Sequence, residues 1–292
     1  MVKRIISIIV VLLIAGCVNE RQARIKTAKK LLARRDFGSA IAQLVSYKES
    51  NDGEIQYLLG ASFLGDSKLG DATFHFYRAI KAKPQLVESV AVRYTQRALE
   101  LNRVGDYDFA ARCFEKAIAL KPDLGDNLFV LGDIYFNRGE YALAAETYTN
   151  GLASAKDSLS RAKAYEGLVK SYIQLANWAK AKDAAEKGII ERHYGLSLLL
   201  GEVSYNYARA FFQSGNLDSA QVMVEKTIEI GRPSYLVDDA YYLLGEIFFS
   251  KGDFASAQTA YESVLRFDPY LRGGLVRRAE ERLKMIKGIL GQ

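Results

Sequence analysis

The chain has 292 residues, 49% of them hydrophobic and 25% charged, with a formal net charge of +6 and only 4 prolines. That balance can bury a sizeable core and excludes a disordered chain. Ala, Leu, Lys, Glu and Arg dominate, and the alternating Val- and Thr-rich runs of strands are missing, so the chain reads as all-α.

At the N-terminus, Lys3 and Arg4 precede an apolar run from Ile5 to Ala15, followed by Gly16 and Cys17. A bilayer crossing needs about 20 apolar residues, so this run reads as a secretory signal peptide, with the small residues Ala15 and Gly16 at its cleavage point. Ile14-Ala15-Gly16-Cys17 resembles the lipobox of bacterial lipoproteins. The resemblance implies a signal peptide over 1–16, acylation of Cys17, and a lipidated N-terminus with a short linker over 17–20. Val18 offers no acidic retention cue, which by the same resemblance implies the outer membrane, facing the periplasm. The one other cysteine, Cys113, has no partner for an intramolecular disulfide and reads as a buried structural thiol beside Phe114.

The first helix follows at once. Lys26, Lys29, Lys30 and Arg34 lie opposite an apolar stripe of Ile25, Ala28, Leu31 and Leu32. A basic face next to a lipid chain is either a second membrane anchor or a solvated helix surface.

From there the chain repeats. Aligned on one alanine, the copies read Ala40, Ala72, Ala110, Ala144, Ala181, Ala220 and Ala257. A second column of small residues precedes it: Ala28, Gly60, Ala98, Gly132, Val169, Ala208 and Gly245, with Val169 the exception. Between the columns lie turns followed by an apolar anchor, as in Gly105-Asp106-Tyr107 and Asn177-Trp178. In the last copy, Tyr241, Leu244 and Phe248 form one helical stripe and Ala257, Tyr261 and Leu265 another, with Gly252-Asp253 between them and Pro269 as a stop.

This unit resembles a tetratricopeptide repeat, a helix hairpin of about 34 residues. The resemblance implies an α-solenoid over 21–271, with units at about 21–52, 53–86, 91–124, 125–158, 162–195, 201–234 and 238–271. Unit one is degenerate, with Tyr47 and Asp52 where the family prefers Ala and Pro. The spare residues between units, Leu196 to Leu200 above all, belong to longer turns or helix ends. Residues 272–292 form a closing helix with Leu275, Ala279, Leu283, Ile286 and Leu290 inward and Arg277, Arg278, Glu281, Arg282 and Lys284 largely outward.

Nothing in the chain announces catalysis. Its two histidines, His75 and His193, stand in different repeats, without a His-x-x-x-His, a CxxC or a Gly-rich phosphate loop. His75, among Phe74, Phe76 and Tyr77, reads as a packing residue, and Asp238 and Asp239 as helix N-terminal acids. The expectation is a non-enzymatic protein with no metal, no cofactor, no nucleic acid and no small-molecule substrate.

By the same resemblance, residues three before and four after the small column face a concave groove. These are Tyr57, Phe129, Tyr205 and Tyr242, then Leu64, Asn102, Phe136, Ile173, Phe212 and Phe249. Such a row of aromatics offers a protein or peptide partner large contact area at low entropic cost. The next column, Lys29, Ala61, Leu99, Asp133, Lys170, Arg209 and Glu246, is mixed, and Ala61 and Leu99 break the family's carboxylate-clamp arrangement. Two functions remain: an envelope-anchored scaffold for a pilus, secretin or outer-membrane assembly machine, or a recruiter of a soluble envelope enzyme or transporter component.

Overall fold

The computed structural model describes residues 20–122, 125–190, 195–267 and 274–291. Among them every regular element is helical. Cys17, His193 and Pro269 lie outside the described residues. The chain divides into two units, one up to Asn127 and one from Leu128.

The first unit stacks three hairpins: α1 (20–33) with α2 (Phe37–Leu44), α3 (Gly53–Gly65) with α4 (Leu69–Ala82), and α5 (Val87–Arg103) with α6 (Tyr107–Leu120). The second begins within α7 (Gly125–Asn137), which pairs with α8 (Tyr141–Ser154). It continues through α9 (Ser158–Gln174), α10 (Trp178–Ile190), α11 (Leu196–Gln213), α12 (Leu217–Ile230), α13 (Val237–Lys251) and α14 (Phe254–Phe267), and closes with α15 (Gly274–Leu290).

Each hairpin turns on one left-handed residue. In order these are Arg35, Ser67, Gly105, Gly139, Ala176, Gly215 and Gly252, with φ between 51° and 81°. Glycine suits that conformation because it has no Cβ to clash with its own carbonyl. The next residue usually caps the second helix. Asp36, Asp106, Asn177, Asn216 and Asp253 each accept a hydrogen bond from the backbone N–H three residues on, at 3.1–3.3 Å, which satisfies an otherwise orphaned donor.

The two small-residue columns mark where the helices of a hairpin cross. All seven column alanines are fully buried. A Cβ added to Gly60 would lie 2.6 Å from the Phe76 ring, on Gly132 2.7 Å from Tyr148, and on Gly245 2.6 Å from Tyr261. Each ring stands four residues after its column alanine, so bulk on the second helix fills the space the first leaves. At Val169 the exchange reverses, for the matching second-helix residue is Ala185, and both are fully buried.

Most of the spare residues between repeats are helix, not turn. The first helices begin early, α9 at Ser158 under the cap of Asp157 and α11 at Leu196. The second helix of the degenerate unit one is short: α2 ends at Leu44 in a 3-10 turn, Val45–Tyr47, and Asp52 caps α3 instead of ending α2. The closing helix departs from its expected pattern. Ala279 and Ile286 are buried as expected and Leu275 and Leu283 pack partly buried against the same cluster, but Val276 joins the buried face and Leu290 is exposed. Arg282, expected to point outward, turns onto α13 and bonds to Glu246.

Cys113 and His75 are packing residues. Cys113 is fully buried, and burial pushes its thiol up to about 12. The His75 Nδ1 lies 2.7 Å from the Gln56 Oε1 and its ring stacks on Phe63 at 5.3 Å, with burial and then Arg78 holding its pKa below the usual value.

Candidate functional site

Three of the expected groove aromatics meet in one cavity. Tyr205 and Phe212 stand seven apart on one stripe of α11 and Tyr242 on the facing stripe of α13, and together with α15 they line a space of about 520 Å3. The same stripes bring in residues outside the expected groove set: Arg209 from α11 and Asp239 and Glu246 from α13, with Leu275 and Arg278 from α15.

Arginine over aromatic is the recurring contact here. The Arg278 guanidinium lies 4.5 Å from the centre of the Tyr242 ring, Arg209 lies 5.9 Å from Tyr205, and Arg282 lies 4.9 Å from Phe249. Such stacking fixes the guanidinium plane and leaves its N–H edges directed outward. Arg282 spends those edges on Glu246, through two bonds of 2.7 and 2.6 Å, and the Tyr261 hydroxyl donates to the same carboxylate at 2.6 Å. Burial alone would raise the Glu246 carboxyl, but the bonds from Arg282 and Tyr261 outweigh it and hold the pKa below the ordinary carboxylate range.

Arg209 and Arg278 differ from Arg282. Among the described residues neither forms an ion pair, although both line the cavity. Between them, burial and then the neighbouring Asp238 push the Asp239 carboxyl above its ordinary value. The cavity therefore presents stacked guanidinium edges, aromatic walls and two carboxyls, of which Glu246 is already bonded to Arg282. It can receive an acidic side chain or carboxylate together with a flat apolar group.

The other expected groove residues lie elsewhere. Phe249 sits beside this cavity on α13, 5.4 Å ring to ring from Phe254. Phe136 is half-buried against Tyr141 at 5.3 Å. Phe129 is buried, and its ring fills the space over Gly151 on α8, so it packs between helices. Tyr242 is itself only 9% exposed although it lines the cavity. In the first unit Tyr57 is half-buried, its ring 5.8 Å from Phe76. Arg209 and Glu246 belong to the mixed column already visible in the sequence. Arg278 could have been found from its spacing to Leu275 on the closing helix.

Tetratricopeptide repeat models match residues 95–158 and 238–270. Over those residues the chain carries tetratricopeptide repeats. Over 194 residues it is 24% identical to the lipopolysaccharide assembly protein B of Escherichia coli K12, a match covering 65% of this chain and 41% of that one. The chain thus spans about two fifths of the length of that curated relative. Among solved structures, a chain of the Naa15/Naa10 complex bound to HypK-THB superposes with a TM-score of 0.56 at 13% identity, over 91% of this chain and 39% of that one. The likeness shows the helical repeat fold. YrrB, a tetratricopeptide-repeat protein described as having an unusual peptide-binding site, is 17% identical over 70% of this chain and 97% of its own, with a TM-score of 0.44. Among the described residues no helix is long and apolar enough to cross a membrane.

Proposed function

We propose that this protein is a non-enzymatic, lipid-anchored scaffold of a bacterial envelope, and that it holds a protein or peptide partner on the first-helix face of its second unit. The carrying observation is the cavity in which Tyr205, Phe212 and Tyr242 stand beside Arg209 and Arg278. Aromatics and arginine are the residue types in which interface binding energy concentrates, and stacking orders them before a partner arrives. The lipobox-like Ile14-Ala15-Gly16-Cys17 supports anchoring through Cys17. The likeness to a protein named for lipopolysaccharide assembly supports an assembly machine of the envelope as the setting.

Two experiments test the reading. Cys17→Ser blocks acylation and signal removal; a membrane-bound mature form of unchanged mass in that variant contradicts the anchor. Crosslinking in cells, followed by mass spectrometry, identifies the partner. Phe212→Ala then weakens that partner by more than about 1 kcal/mol while the melting curve stays close to wild type. A folded variant that keeps every partner contradicts the site.

A further inference from the structure

The first unit holds a cavity of different chemistry. It is a slot of about 450 Å3 between the second helices α4 and α6, floored by α5. Its walls are Phe76, Tyr77 and Ile80 from α4, Val90 from α5, and Ala119 and Leu120 from α6. The polar atoms inside satisfy one another, for the hydroxyls of Thr73 and Tyr94 are 3.0 Å apart. Burial pushes the Tyr94 hydroxyl up to about 12, so it stays a neutral phenol.

Among the described residues, the charged side chains lining the slot are Lys81 and Lys116, one on each wall. Both are exposed, and among the described residues neither forms an ion pair. Their stems can cover the apolar rim while the ammonium groups stay in water. An apolar interior with two unpaired cations at its mouth is complementary to a molecule with a hydrocarbon tail and an anionic head. A helix of a partner protein suits the slot poorly, because a helix with its side chains is about 10–12 Å across and only about one turn would fit such a volume. Tyr77, 64% exposed, extends the apolar surface from the slot onto the rim.

We propose that this slot binds a free long-chain fatty acid, its tail between α4 and α6 and its carboxylate between Lys81 and Lys116. The site is separate from the partner face of the second unit and does not depend on it. Equilibrium dialysis of the full chain against radiolabelled myristate, kept below its critical micelle concentration, tests the proposal. The expected result is saturable binding at one site per chain. Ala119→Phe fills the slot from its exposed wall and abolishes binding. The double variant Lys81→Glu, Lys116→Glu lowers affinity at least tenfold with an unchanged melting curve, and myristyl alcohol binds at least tenfold more weakly than myristate. Equal binding by Ala119→Phe overturns the proposal, as does equal affinity for tetradecyltrimethylammonium. Absence of saturable myristate binding overturns it as well. If instead the chain pellets with phosphatidylglycerol vesicles and only that association is lost in Ala119→Phe, the slot is a membrane contact and the fatty-acid assignment is wrong.

Discussion

The seam between α4 and α5 and the seam between α8 and α9 join equivalent parts of two repeats and come out differently. Phe76 and Tyr148 occupy the same position, four residues after a column alanine. Tyr148 finds Gly167 on the next helix, where an added Cβ would lie 2.3 Å from its Cζ, and α8 and α9 close on each other. Phe76 finds Tyr94, ring to ring at 5.1 Å and 68°, and α5 has no glycine. The α4 and α5 backbones therefore stay apart, and the slot opens beside them. The ring at this position thus meets a glycine in the closed seam and a second ring in the open one.

The strongest way to break this comparison is to force the closed seam open. Gly167→Leu drives a branched side chain into the Tyr148 ring and is expected to lower stability by about 3 kcal/mol, read by chemical denaturation. A variant as stable as wild type would show that the seam yields freely, and glycine would then not explain its closure.

A third seam, between α13 and α15, is held electrostatically and gives the next largest effect. Glu246→Gln is expected to cost about 2 kcal/mol at pH 7, since it weakens charge-assisted bonds to Arg282. The folded Glu246 carboxyl sits below its ordinary value of 4.5, so its contribution is present above pH 4.5 and is lost as pH falls through the folded value. The gap between wild type and variant should close on acidification. A gap independent of pH would point to packing instead.

Away from every seam, Ala176 holds the left-handed turn position that glycine fills in four other hairpins, with φ of 51°. Ala176→Gly is expected to stabilise the protein by about 1 kcal/mol, measured by thermal melting. The smallest effect belongs to the open seam. Ala119→Phe points into the slot from an exposed position and should change stability by less than about 0.5 kcal/mol. A large loss there would mean the slot has no room.

These contrasts explain what the sequence could and could not reveal. The hairpins were legible because both helices of a crossing belong to one repeat, so that Gly245 and Tyr261 are separated by a fixed 16-residue interval that recurs as Gly132 and Tyr148. Cavities depend on pairs from different repeats, whose sizes vary independently, as with Phe76 and Tyr94. The aromatics Tyr205, Phe212 and Tyr242 were legible by column, but burial of Phe129 was not, because it follows from Gly151 one helix away. Arg278 escaped because a closing helix has no repeat to be aligned with, and its outward or inward turn is decided by Tyr242 beneath it.

The central claim is that the second unit meets its partner on the face shared by α11, α13 and α15. The most direct test inserts a photo-crosslinking phenylalanine analogue at Phe212, and as a control at exposed Leu143 on α8, in cells that make the protein at native level. The account predicts a discrete adduct from position 212 that disappears when Arg209→Glu is added, with no adduct from position 143. An adduct from 143 alone, or one from 212 that Arg209→Glu leaves intact, would contradict it.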